Sequence, residues 1–197
     1  MVSKRKGNNI NGWIIIDKPA GITSTGVVSK IKRAFNAKKV GHAGTLDPDA
    51  TGVLPIALGE ATKTIPYIMN EIKSYHFCIK LGESTDTDDA TGQIINTSSK
   101  RPSDDNISTL LQKYIGFIEQ TPPNYSAIKV NGVRAYDLAR SGTQLKLKSR
   151  SLFVKDLKFL ERIDDDHALL QLTCGKGGYV RSIARDLGKD LKCFAHV

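Results

Sequence analysis

The stretch Gly41-His42-Ala43-Gly44-Thr45-Leu46-Asp47-Pro48-Asp49-Ala50-Thr51-Gly52-Val53-Leu54 carries the densest chemistry of this 197-residue chain. Three glycines and a proline bracket two carboxylates. Glycine reaches positive φ and lets the backbone approach a ligand closely. Pro48 biases the residue before it toward an extended conformation. A loop of this kind can present Asp47 in a fixed direction, which a nucleophile requires. Read by composition alone, the same letters also describe a turn-rich connector with solvated carboxylates. Asp47-x-Asp49-x-Thr51 also matches the D-x-D-x-T pattern of aspartyl-phosphate phosphatases, a Mg²⁺ chemistry. That chemistry wants the first Asp at the end of a buried hydrophobic strand, which Gly41-His42-Ala43-Gly44-Thr45 cannot make.

Working outward, residues 12–17 read as a short, β-branched, buried strand, and 18–21 as a turn. Ser24 or Thr25 can cap a helix running to about residue 35, with Val27, Val28, Ile31 and Ala34 near helical spacing. Residues 38–52 read as a Gly-punctuated loop, 54–59 as resumed apolar chain, and 61–69 as helix. In 74–81, Tyr75, Phe77, Ile79 and Leu81 alternate as in a strand. Residues 82–92 are an acidic loop, 101–106 a polar linker and 107–114 a short amphipathic helix. Strands are expected at 116–120, 126–130, 151–161 and 167–174, and helices at 135–141 and 179–191. Several strands follow one another without a β-α-β rhythm. That predicts an α+β fold on a mixed, mostly antiparallel sheet, with 1–197 forming one catalytic domain. The apolar ending Phe194-Ala195-His196-Val197, directly after a helix, is the ending expected of a fragment.

The chain has 29 Lys and Arg against 20 Asp and Glu, a formal charge of +9. Such an excess points to a polyanionic partner, nucleic acid before membrane. Cys78, Cys174 and Cys193 are odd in number and widely spaced. That argues against a disulfide framework or a Cys-rich zinc site and suits a reducing compartment. The segment 1–9 is polar and basic. The apolar run 13–16 is too short for a signal-peptide core or a membrane span, so a cytoplasmic location is expected. Asp86, Asp88 and Asp89 do not make a calcium loop, because Ala90 and Thr91 stand where an oxygen ligand and a glycine are needed.

Further blocks accompany the opening stretch. They are Ile16-Asp17-Lys18-Pro19-Ala20-Gly21, Leu58-Gly59-Glu60-Ala61-Thr62-Lys63, Lys73-Ser74-Tyr75, Leu81-Gly82-x-x-Thr85-Asp86-Thr87-x-Asp89-x-x-Gly92, Pro123-Asn124-Tyr125-Ser126-Ala127-Ile128-Lys129 and Lys176-Gly177-Gly178-Tyr179-Val180-Arg181. In this order, from about residue 12 to the chain end, they closely resemble the TruB family. That family isomerises uridine 55 in the T-loop of tRNA to pseudouridine. The resemblance implies the pseudouridine synthase fold, with Asp47 as the catalytic aspartate. It implies that Tyr75 is the active-site tyrosine and that Arg181 is the arginine paired with the aspartate, holding it ionised and aimed. His42 and Tyr179 match residues that contact the RNA substrate, a role Tyr75 shares.

The reaction breaks an N-glycosidic bond, turns the base and rejoins it through carbon. A carboxylate serves it either by bonding covalently to sugar or base, or by stabilising a cationic sugar while removing a proton. No redox step or added group is needed, so neither cofactor nor metal is expected. The base must leave its stack to be reached. Segments 29–39 and 144–150 are basic enough to contact phosphates, and Lys18, Lys129 and Lys176 are weaker candidates for phosphate or structural contacts. RNA binding is then expected to weaken steeply with salt. The partner implied is the T-arm of tRNA, with no membrane, no obligate protein partner and a monomeric state. An RNA-guided relative within a protein complex shares the core motifs, but the bacterial-style blocks favour a stand-alone enzyme. Family members continue beyond this chain's last residue with a further strand and usually a small RNA-binding domain.

Overall fold

The run Gly12–Lys18 forms strand β1 and pairs antiparallel with a later strand of the same apolar character. The structure is a computed structural model that describes residues 7–197, so part of the basic segment 1–9 lies outside the described residues. The chain divides into two compact units, 1–71 and 72–197.

In the first unit, β1 is followed by helix α1 (Ser24–Ala34), β2 (Val40–His42), β3 (Gly52–Leu58), a 3₁₀ helix (Gly59–Thr64) and α2 (Ile65–Asn70). The three strands make one sheet in the order β1-β3-β2. The expected loop at 38–52 therefore contains the strand β2. The expected helix at 61–69 is a 3₁₀ turn followed by a short α-helix that opens with Pro66 in its first turn. β1 is half buried, not buried. Ile14 and Ile16 pack on Val27, Leu54 and Ile56, while Ile15 on the other face is 64% exposed. The period of two is invisible in the sequence because both faces of this strand are apolar. Thr23, not Ser24 or Thr25, caps α1, its hydroxyl accepting from the Gly26 amide at 2.9 Å. Ala34 lies on the exposed side of that helix.

The second unit runs β4 (Lys73–Leu81), β5 (Glu83–Thr85), β6 (Ile94–Thr97), α3 (Asp104–Leu111), β7 (Gly116–Gln120), β8 (Lys129–Val130), β9 (Val133–Arg134), α4 (Ala135–Arg140), β10 (Arg150–Arg162), β11 (His167–Cys174), α5 (Val180–Asp190) and β12 (Ala195–His196). Its main sheet has the order β12-β4-β11-β10-β7 and every pairing is antiparallel. In β11, Ala168, Leu170, Leu172 and Cys174 alternate inward and are fully buried. They pack with Ile107 and Leu111 of α3 and Ile183, Ala184 and Leu187 of α5. Two helices on one face of an antiparallel sheet make the α+β class expected from the sequence.

Some boundaries differ from those expected. The linker 101–106 already contains the first turn of α3, capped by Ser103, whose hydroxyl accepts from the Asn106 amide at 3.2 Å. The helix ends at Leu111, and 112–114 tightens into a 3₁₀ turn. Of 126–130 only Lys129 and Val130 are strand. No helix among the described residues is long and apolar enough to cross a membrane.

Candidate active site

Asp47 belongs to the first unit and sits outside regular structure, five residues past the end of β2. No buried strand leads into it, so the phosphatase pattern lacks its structural context. Its side chain is exposed, yet the backbone on either side is held. On the N-terminal side, the Ser24 hydroxyl donates to the Leu46 carbonyl and accepts from the Leu46 amide, both at 3.0 Å. On the C-terminal side, the Pro48 carbonyl accepts from the Lys18 ammonium and from the Gly21 amide, both at 2.9 Å. The Ala50 amide donates to the carbonyl of Asp47 itself at 3.2 Å. Gly44 and Gly52 adopt φ of 136° and 116°, values open to glycine and strained for other residues.

Lys18 is 0% exposed. Its ammonium also donates to the carbonyls of Pro19 at 2.9 Å and Ile22 at 2.8 Å. Of the two roles expected of Lys18, phosphate contact or structural contact, it has the structural one. This cation is consumed by three carbonyls, and such hydrogen bonds compensate the cost of burying a charge. His42 lies at the end of β2, opposite Ile56, and its Nδ1 bonds to the Gly44 carbonyl. That ties the ring to the loop bearing Asp47.

Tyr75, Tyr179 and Arg181 belong to the second unit. Tyr75 stands opposite Leu172 on β4 and packs against the main core. Burial, with a smaller contribution from Cys174, pushes its hydroxyl above the ordinary tyrosine range, so it stays a proton donor. Tyr179 is the cap residue of α5. Gln120 grips its backbone from both sides: the Tyr179 amide donates to Oε1 at 2.9 Å, and Nε2 donates to the Tyr179 carbonyl at 3.2 Å. Arg181 is only 8% exposed, so its guanidinium is not a solvated surface charge. Its guanidinium donates to the carbonyls of Thr87 at 3.2 Å and Tyr125 at 3.1 Å, and lies 3.4 Å from a carboxylate oxygen of Asp89.

One turn further along α5, Arg185 lies 3.0 Å from Asp88 and 2.9 Å from Asp186, and donates to the Thr121 carbonyl at 2.7 Å. Burial pushes the Asp88 carboxyl above its ordinary range, and the Arg185 guanidinium opposes that push. The acidic loop is thus the counter-charge of α5. Sequence reasoning missed Ser24 as a support of the Asp47 loop, and Gln120, Asp89 and Arg185 as supports around Tyr179 and Arg181. The i, i+4 spacing of two arginines facing a run of aspartates was the available signal. The basic side chains Lys30, Lys32, Arg33, Lys146, Lys148 and Arg150 are exposed and accessible to phosphates. No group of three or more potential metal ligands occurs among the described residues.

The chain is 58% identical over its whole 197 residues to the tRNA pseudouridine synthase B of Ruegeria sp. (strain TM1040), and it covers 65% of that protein. It is 59% identical over 193 residues to the protein of the same name from Cereibacter sphaeroides, covering 98% of this chain and 64% of that one. The chain thus spans just under two thirds of the length of these relatives. Among solved structures, the chain in a Cbf5-Nop10-Gar1 complex superposes with a TM-score of 0.72 at 29% identity, over 95% of this chain and 46% of that one. Residues 32–180, well over half of the sequence, match the TruB family pseudouridylate synthase N-terminal domain. The chain belongs to the TruB family of pseudouridylate synthases.

Proposed function

We propose that this chain is the catalytic part of a cytoplasmic, monomeric enzyme that isomerises uridine 55 in the T-loop of tRNA to pseudouridine, with Asp47 as its nucleophile. The observation that carries the reading is the contrast at Asp47, an exposed carboxylate whose flanking residues are both held by hydrogen bonds. A carboxylate fixed in direction loses little entropy on reaching the reacting sugar or base. The names of close relatives support tRNA as substrate and pseudouridine as product.

In this reading residues 1–197 work as one catalytic domain. His42 and Tyr179 contact the extruded nucleotide. Tyr75 stacks on the base and offers a protonated hydroxyl. Arg181 is the cationic partner that the family resemblance assigns to the reaction. The exposed lysines and arginines of 29–39 and 144–150 hold the RNA backbone. The chemistry calls for no cofactor or metal.

The test is pseudouridine formation on an unmodified tRNA transcript, with chelator present, by the full-length protein and its Asp47→Asn variant. Conversion at the T-loop uridine by the wild type, reduced on the order of 10³-fold or more in the variant, is expected. RNA that is bound but converted by neither protein would replace the enzyme with a binding module.

A further inference from the structure

Ser24 occupies the first turn of α1, where a serine ordinarily caps a helix. It does not cap this one, because Thr23 takes that role. The Ser24 side chain is 3% exposed and turns instead to residue 46, donating to its carbonyl and accepting from its amide. A serine hydroxyl has one proton to give, and here it goes to the Leu46 carbonyl.

That carbonyl belongs to the peptide plane that also carries the Asp47 amide. Fixing it fixes one of the two planes from which the Asp47 side chain hangs. Leu46 is anchored a third time by its own side chain, which packs against Val27, Leu54 and Ile56. On the other side the Pro48 carbonyl is tied to Lys18 and Gly21. The backbone is held at 46 and at 48, and the carboxylate between them faces solvent.

We propose that Ser24 is a positioning residue for the reaction: its paired hydrogen bonds to Leu46 set the direction in which Asp47 meets the substrate. The inference rests on Asp47 being the catalytic carboxylate. Ser24 itself touches no substrate. Its loss therefore leaves RNA affinity alone and slows the chemical step, since a misplacement of about 1 Å costs on the order of 10²-fold in rate.

The test compares the full-length wild type with Ser24→Ala, Ser24→Thr and Asp47→Asn by single-turnover conversion of an unmodified tRNA transcript, RNA-binding titration and thermal melting. Ser24→Ala is expected to lose roughly 10- to 100-fold in single-turnover rate with Kd unchanged. Ser24→Thr, which keeps the hydroxyl, is expected to recover most of that rate. The proposal is overturned if Ser24→Ala reacts at the wild-type rate, if it loses RNA affinity in proportion to rate, or if Ser24→Thr is as slow as the alanine variant. Should Ser24→Ala fail to fold, Ser24→Cys, which keeps the volume and weakens the hydrogen bonds, is judged by the same criteria. A fully active Asp47→Asn overturns the nucleophile reading together with this one. An inactive Asp47→Asn beside a wild-type-like Ser24→Ala overturns only the role of Ser24.

Discussion

The Lys18 ammonium lies 2.9 Å from the carbonyl oxygen of Pro48, 30 positions away in the chain and directly after Asp47. A fully buried cation thereby joins the turn after β1 to the loop that carries the candidate nucleophile. Lys18→Met keeps the length of the stem and removes the donor, leaving the Pro19 and Ile22 carbonyls without it. Hydrogen bonds from charged groups and orphaned buried acceptors are each costly. Urea denaturation should show a loss of about 2–4 kcal/mol with the m-value unchanged. A variant as stable as the wild type would mean that those carbonyls find other partners.

Gly178 joins β11 to α5 immediately before Tyr179. A Cβ built there would lie 2.5 Å from Sγ of Cys174, a fully buried side chain. Gly178→Ala should therefore shift the start of α5 and cost about 1–3 kcal/mol, with activity falling alongside. Cys174→Ala in the same molecule removes the obstacle. Recovery in the double variant, measured as a non-additive stability cycle, checks the contact. Additive losses would contradict it.

Alkaline pH offers a separate readout of Cys174. Burial pushes its thiol from an ordinary value of 9.0 up to about 11. Below pH 9 the thiol is protonated in both folded and unfolded chains, and it adds no pH dependence. Between about pH 9 and 11 the unfolded thiol ionises while the folded one does not, so stability falls as pH rises through that window. Denaturation midpoints across the window should decline more steeply for the wild type than for Cys174→Ala. Equal slopes would show that the thiol ionises as readily in the folded protein.

The long elements were legible from sequence because their period persists. The stretches 116–120 and 167–174 match β7 and β11 residue for residue, and β4, β10 and α5 fall within one residue at each end. Strands of two to four residues, such as β2, β5 and β12, carry too few side chains to show alternation. They exist because a neighbouring strand offers hydrogen bonds. Of the site, Asp47 stands out by its bracketing glycines and proline. What holds it does not. Lys18 reads as a surface lysine and Ser24 as a cap until the tertiary fold brings both against residues 46–48. Arg181 is similar, because its burial depends on loops whose closure no local pattern encodes.

Arg181 and Arg185, one helical turn apart on α5, address the adjacent carboxylates Asp89 and Asp88. The consequence is one of inheritance. Loss of Arg185 takes from the mostly buried Asp88 its ion pair, and loss of Arg181 takes one from Asp89, a cost the lineage carries until a second change meets it. The acidic loop, which has the look of a freely drifting surface segment, is therefore tied to the letters of a helix nearly a hundred residues away. Ancestral reconstructions should show the four residues replaced as a set or kept as a set, while the exposed neighbour Ala90 varies on its own.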